Sequence, residues 1–439
     1  MSSPISDLLN TLNMPHIMHG DIQPLIEALG THPKIKLTNA GNSFEGRRIR
    51  RITYGQGPIV ILAWTQMHGD EATATAAVFD LLDQLLNEDN NRIQTLFTFH
   101  IVPMLNPDGA QLCMRENAQG IDINRDARAL QSPEGRILMN LVDELQPGLA
   151  LNLHDQSPYY QCGTNGHPST IAFLAPAFDA DKTIDGDRHL AMSLIGRMKE
   201  ALGLHIKHHI ARYDDGFSAR AFGDCIAGKG VATVLIESGA AVNDPNRQVA
   251  RKMNVIAIRE AMLMLDELER GAIKYETLDE YKKAYSLIPA NTAKTFSSIV
   301  VRGLNFVGEH SFKASVSIKQ TARYSNEFYI DAVGDLGPQA GLEEFNAQDL
   351  SFDFGRVHSI KGPLKLTNKS YREWLQRGIL RFEGDPEHLQ NLSDYDVLMN
   401  HPTPANTQVL ALDQPAYFLM RKGTKVVAAV INGKLLRLF

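Results

Sequence analysis

The chain has 439 residues, 44% of them hydrophobic and 21% charged, with a formal net charge of -6. That size and apolar content suit two or three soluble domains with at least one large core. The slightly acidic balance argues against a nucleic-acid groove or an anionic membrane surface as partner. Apolar runs such as "PIVILAW" and "VVAAVI" fall far short of the roughly 18 residues a spanning helix needs.

Residues 1–45 read as a helical lead-in, with "ISDLLNTL" and "IQPLIEALG" as its helical pieces. The start has no basic stretch, long apolar run or small-residue cleavage site. The three cysteines, Cys113, Cys162 and Cys225, include no CxxC pair, so a disulfide framework is not expected and a reducing cytoplasm is the default location. From residue 46 to about 280, strand-like runs ("RRITYG", "PIVILAW", "LFTFHIVPML", "LALNLH", "HIKHHIAR", "VATVLIES") alternate with helical patterns ("AAVFDLLDQLL", "PEGRILMNLVDEL", "HLAMSLIGRMKEALG", "RKMNVIAIREAMLMLDELERG"). This alternation predicts an α/β domain built on a mixed, mostly parallel sheet flanked by helices. Residues 290–439 change texture: short runs such as "SSIVVRG", "EFYIDAVG" and "KVVAAVING", punctuated by Gly, Asn and Pro, predict a smaller β-rich domain.

Polar residues gather where the apolar runs stop, which in open α/β sheets is where ligands bind. His68 and Glu71 follow "PIVILAW" three residues apart, and His154 ends "LALNLH". A His–Glu pair alone most often decorates a helix N-terminus, and a lone strand His is most often structural. Together they form a short-spacer, long-spacer pattern of two imidazoles and a carboxylate, a catalytic zinc set that leaves the fourth position to water. Glu237 closes a third run, "VATVLIES", and is placed to serve as the general base and acid such a water needs. Between the ligand segments, Arg115, Asn124 and Arg125 supply groups suited to a carboxylate or a developing oxyanion, with Asp122 and Asp126 to neutralise them. Two decoys are set aside. "GDCIAGKG" lacks the final Ser or Thr of a phosphate loop and precedes a strand. "HIKHHI", with His205, His208 and His209, has no acidic partner nearby and reads as a polar strand.

In order, "HGDE", "RENAQGIDINRD", "NLH" and "VLIES" resemble the motifs of the zinc carboxypeptidases, the M14 metallopeptidases, over residues 45–270. The resemblance implies one zinc ion per chain on His68, Glu71 and His154, Glu237 as base and acid, Arg115 polarising the scissile carbonyl, and Asn124 and Arg125 clamping a substrate carboxylate. "HGDE" is closer to the murein-peptide branch and to related deacylases than to digestive enzymes. Asp155 and Gln156, after the third ligand, become candidates to orient a ligand or to read the substrate, and either Tyr213 or Phe217 stands where the family often carries a mobile Tyr. The expected function is a metallocarboxypeptidase acting on small peptides. The alternatives are an amidase of murein-derived peptides, an N-acyl amino acid deacylase and, in another class, a zinc-binding module without catalysis. No nucleic acid or membrane partner is expected; the C-terminal domain could cap the cleft, mediate self-association into a homo-oligomer, or serve as a stability partner without direct chemistry.

Overall fold

In the computed structural model, residues 3–88, 91–293, 296–321, 325–402 and 407–439 are described. The backbone divides into two compact units, Met1–Ala293 and Lys294–Phe439.

The first unit is built on one eight-stranded sheet. Its strands are β1 (Ile35–Asn42), β2 (Arg48–Gly55), β3 (Ile59–Trp64), β4 (Phe97–Val102), β5 (Leu149–Asp155), then, past the two-residue β6 (Gln161–Cys162), β7 (Ile171–Leu174), β8 (Ile210–Arg212) and β9 (Ala232–Ser238). The spatial order is β1-β2-β4-β3-β5-β9-β7-β8. The centre, β4-β3-β5-β9, is parallel, whereas β1, β2 and the β9–β7 contact are antiparallel. Helices α1 (His19–Gly30), α2 (Thr73–Asn87), α3 (Asn91–Leu96), α4 (Pro107–Leu112), α5 (Pro133–Leu145), α6 (Gly186–Ile206), α7 (Phe222–Ala227), α8 (Gln248–Glu269) and α9 (Tyr275–Ser286) fill the connections.

The period of two along each central strand sorts the side chains onto two faces. Ile61, Ala63, Leu149, Leu151, Leu153, Val234 and Ile236 pack with α2, α6 and α8 on one face. Leu62, Trp64 and Ala150 pack with Leu138 and Val142 of α5 and Phe222 and Ile226 of α7 on the other. The same alternation puts Asn152, His154, Leu235 and Glu237 on the α5/α7 face, with the charged members at the carboxyl ends of their strands. That placement is the fold's contribution to the site.

Two elements differ from the sequence expectation. The lead-in is not wholly helical, because Ile35–Asn42 pairs with β2 as an edge strand. "HIKHHIAR" is not one strand: His205 lies in the last turn of α6 and only Ile210–Arg212 joins the sheet. The three cysteines are free. No helix among the described residues is long and apolar enough to cross a membrane.

The second unit is β-rich. Its principal sheet has eight strands, including the antiparallel pairs Phe296–Phe306 with Phe312–Gln320 and Tyr417–Lys422 with Lys425–Ile431. One helix, Asn368–Gln376, is capped at its start by the Thr367 hydroxyl, which accepts from the Ser370 N–H at 3.2 Å.

Candidate metal centre

The segment 65–72 leaves β3 and turns back beneath the start of α2. Gly69 makes this turn possible: a Cβ there would lie 2.0 Å from the Gly109 carbonyl carbon, so only glycine allows this backbone to touch the Asn106–Gly109 turn. The turn is held by Asn106, whose Oδ1 accepts from the Gly109 N–H at 2.9 Å. His68 and Glu71 thereby face His154 at the end of β5. Both His68 Nδ1 and His154 Nδ1 approach the Glu71 carboxylate, at 2.9 and 2.8 Å. One ligand atom from each of the three lies within 4.8 Å of the others, all three residues are buried, and no other such group of His, Cys, Asp or Glu occurs among the described residues.

Each of the three side chains acts on the charge of its neighbours. Burial alone would raise the Glu71 carboxyl, but the two imidazoles hold it well below the usual carboxylate range. Burial alone would lower His68, yet the Glu71 charge and bonds to Asp122 and Glu71 outweigh it and raise His68 to about 9. His154 goes the other way: burial outweighs Glu71 and lowers it. The Glu71 charge thus acts on both imidazoles, outweighing burial at His68 and outweighed by it at His154. His154 Nε2 is buried with no hydrogen-bond partner among the described residues. Two imidazoles and one carboxylate, buried and convergent, fit zinc better than the all-oxygen shells of magnesium or calcium.

Arg115 and Asp122 complete the surroundings. Arg115 Nη1 lies 3.1 Å from His68 Nδ1 and 3.5 Å from Glu71 Oε1, while its Nε donates to Asp122 Oδ2 at 3.0 Å. Asp122 Oδ1 lies 3.2 Å from His68 Nε2. Burial would raise the Asp122 carboxyl, but His68 and Arg115 hold it well below its ordinary value. Asp122 thus does more than neutralise the arginine, because it also fixes the His68 ring. That contact joins residues 54 apart in sequence, and only the fold reveals it.

Glu237 on β9 is the parallel register partner of His154 on β5, so the two side chains stand on adjacent strands about 4.8 Å apart. Asn124 and Arg125 occupy a 3-10 turn that begins just beyond Asp122. Asn124 Oδ1 accepts from the Phe222 N–H at 2.9 Å, leaving its Nδ2 as the end available to a ligand. Arg125 is exposed, with Nη1 folded onto the Asn124 carbonyl at 2.7 Å.

The remaining candidates have these surroundings. Asp155 Oδ2 accepts from the Thr73 N–H at 3.2 Å and hydroxyl at 2.8 Å, at the first turn of α2. Its orienting role runs through the backbone, where its N–H donates to Glu71 Oε2 at 3.1 Å. Gln156 is occupied too, donating to the Ser169 carbonyl and hydroxyl, both at 2.9 Å. Asp126 does not neutralise the arginines; it accepts from the Gln131 and Ser132 N–H groups at 2.9 and 2.8 Å and shapes the entry to α5. Of the two aromatic candidates, Phe217 is exposed, whereas burial and the Glu237 charge together push the Tyr213 phenol well up. Tyr213 is therefore the one beside the site, its hydroxyl 3.4 Å from that of Tyr160.

Parts of the chain are similar to known proteins. The family model for zinc carboxypeptidases, Peptidase_M14, matches residues 22–135. A zinc carboxypeptidase of Simulium vittatum is 32% identical over 84 residues, 18% of this chain and 28% of that protein. Murein peptide amidase A of Escherichia coli K12 is 28% identical over 149 residues, 27% of this chain and 57% of that protein. The alignments thus span less than two thirds of either relative. A metallo-carboxypeptidase of Burkholderia cenocepacia superposes with a TM-score of 0.48 at 17% identity, over 58% of this chain and 70% of that one. Residues 22–135 thus resemble the zinc carboxypeptidases of the M14 family, and this segment carries His68, Glu71, Arg115, Asn124 and Arg125.

Proposed function

We propose that the chain is a zinc-dependent metallocarboxypeptidase that hydrolyses the C-terminal amide bond of small peptides. The observation that carries this reading is the convergence of His68, Glu71 and His154 in one buried cluster, with Arg115 against it and Glu237 on the adjacent strand. Zinc held by the three would supply a Lewis acid and an acidified water. The remaining work falls to the chain's own groups. Glu237 takes the proton released as water oxygen bonds to the carbonyl carbon, and returns it to the amine nitrogen as the C–N bond breaks. Arg115 holds the negative charge that develops on the carbonyl oxygen. Asn124 Nδ2 and the Arg125 guanidinium bind the carboxylate of the residue to be released.

A second reading is favoured by the "HGDE" motif and by the likeness to murein peptide amidase A: the same chemistry on murein-derived peptides, or on N-acyl amino acids. One experiment separates the readings. The purified chain is analysed for metal and assayed on L-peptides, D- and γ-linked murein peptides and N-acyl amino acids. One zinc per chain and release of C-terminal residues from L-peptides, lost by about 10²–10⁴-fold in Glu237→Gln with zinc retained, supports the carboxypeptidase. Turnover confined to murein or acyl substrates moves the assignment to the second reading. Zinc without turnover on any of them leaves a binding module, and a chain that takes up no zinc refutes the proposal.

A further inference from the structure

The second unit carries a depression of about 510 Å³ that the proposed reaction does not use. Its volume is in the range of small-molecule sites, about 300–1,000 Å³. Asn432 builds one wall. Its Nδ2 donates to Asp396 Oδ2 at 2.7 Å, and its Oδ1 accepts from the Phe328 N–H at 2.9 Å. Three segments distant in sequence are thereby held around one opening.

A buried hydroxyl marks this opening. Four tyrosines are buried among the described residues: Tyr54, Tyr285, Tyr371 and Tyr417. Three are paired. The Tyr54 hydroxyl donates to the Leu85 carbonyl at 3.2 Å, that of Tyr371 donates to the Asp396 carbonyl at 3.0 Å, and that of Tyr285 accepts from the Ala175 N–H at 3.3 Å. Tyr417 is only 8% exposed, yet its hydroxyl has no hydrogen-bond partner among the described residues. Folded proteins retain few such groups, and Tyr417 lines the depression. Burial and then the charges of Asp396 and Glu327 push its phenol up, so the hydroxyl stays neutral beside two carboxylates.

The charge of the lining has one sign. Glu327, Asp396 and Asp413 contribute three carboxylates at exposed positions, and no Lys, Arg or His lines the depression. None of the three forms an ion pair among the described residues. A concave surface of one sign concentrates the opposite charge. A divalent metal ion would need the carboxylate oxygens to converge on a point, and the described residues offer such a group of ligands at His68, Glu71 and His154 alone. Spread acids, with Val397, Leu398 and Pro415 between them, suit instead a cation that brings its own N–H donors and an apolar stem.

We propose that this depression binds a small organic cation, an alkyl chain bearing an ammonium or guanidinium head, with Tyr417 and Asp396 receiving the head. The Tyr417 oxygen accepts an N–H from it, and the carboxylates balance its charge. The site stands apart from the hydrolase reading and holds or fails without it.

The test is calorimetric titration of the full chain at physiological ionic strength with agmatine, which joins a guanidinium to an ammonium by a short alkyl chain. Butane-1,4-diol serves as the neutral control and Mg²⁺ as the bare cation. Saturable binding of one agmatine per chain, with none of the diol, is expected. Tyr417→Phe should weaken it about tenfold or more. Asp396→Asn keeps an oxygen for Asn432 Nδ2 and should weaken it by a similar factor, and Glu327→Gln, at an exposed position, by about two- to fivefold. Because the Tyr417 hydroxyl has no partner to lose, Tyr417→Phe should leave the urea midpoint unchanged or raise it. A midpoint that falls instead shows a structural role for the hydroxyl and overturns the inference. So do an absence of saturable binding, equal binding of the diol, stoichiometric displacement by Mg²⁺, or an affinity that none of the three substitutions changes, which would place the cation elsewhere. Should Tyr417→Phe fail to fold, Asp396→Asn and Glu327→Gln decide by the same criterion.

Discussion

Arg247 stands behind the metal cluster and makes no contact with the ligand side chains, so replacing it by Leu asks how the cluster is held. Its guanidinium is buried, donating from Nη1 to the Ser238 carbonyl at 2.8 Å and from Nη2 to the Gln156 carbonyl at 3.0 Å, with Asp155 Oδ2 at 3.7 Å. Ser238 follows Glu237, Gln156 lies two residues past His154, and Asp155 caps the helix that follows Glu71. One side chain thus yokes the three segments that carry the site. The cost of Arg247→Leu can be worked group by group. Ser238 O keeps the Gln156 N–H at 2.9 Å, so it loses little. Gln156 O loses a charged donor, about 1.5–3 kcal/mol. Asp155 keeps its two bonds from Thr73, which puts the loss of its cation at or below the low end of the roughly 3–5 kcal/mol typical of a broken buried pair. These terms share one network and do not add fully, so the expected total is about 3–4 kcal/mol. Urea unfolding followed by Trp64 emission, in a Trp374→Phe background that leaves it the chain's one tryptophan, reads this in the first unit. Zinc affinity, by competition with a chelator, is expected to fall about 10–100-fold, the scale at which supports behind metal ligands act. Arg247→Lys restores the charge but cannot serve both carbonyls, and should recover about half of each loss. A Leu variant within about 0.5 kcal/mol of wild type, with unchanged zinc affinity, refutes the yoke.

Asp122→Asn leaves His68 Nε2 and Arg115 without their carboxylate, and zinc affinity is expected to drop about 10–100-fold with little change in the urea midpoint; an unchanged chelator titration would count against Asp122 as the orienting group. Gly69→Ala forces a Cβ into the Gly109 backbone, so the variant should lose more than about 3 kcal/mol or fail to accumulate folded. If the Gly69→Ala protein were instead stable and bound zinc, the close approach would be shown to be dispensable. His100 carries a pH prediction away from the site. Burial, reinforced by the Arg51 charge, lowers it from 6.5 to about 4. The unfolded chain therefore binds the extra proton first, and the stability His100 contributes is present above pH 6.5 and lost as pH falls toward 4. Solvent screening at a site near the surface reduces this to about 2 kcal/mol. His100→Asn should flatten that part of the stability profile between pH 4 and 6.5, and an unaltered slope would mean that other groups produce it.

The sequence marks this site because burial of polar groups is expensive and therefore conspicuous. His154 and Glu237 interrupt long apolar runs, and a strand that ends in a charge must turn it toward a cavity, an ion or water. The period of the central strands and the helical spacing between them make the α/β architecture legible for the same reason: core residues must repeat as the backbone does. What stays hidden depends on contacts that no local pattern encodes. The edge strand Ile35–Asn42 has no buried residue and no regular apolar alternation, so it reads as connection, and Ile171–Leu174 is too short to stand out. Asp155 adjoins a ligand in the sequence, and only the fold shows that Thr73, 82 residues away, donates to its Oδ2. Asn152 is the converse case. It interrupts "LALNLH" as visibly as His154 does, and by pattern alone it is one more structural amide. Only the fold shows that both ends of its buried amide are without a hydrogen-bond partner among the described residues. A polar residue in an apolar run thus raises a question that the sequence can pose but not answer, because the answer is the presence or absence of a partner elsewhere in the fold.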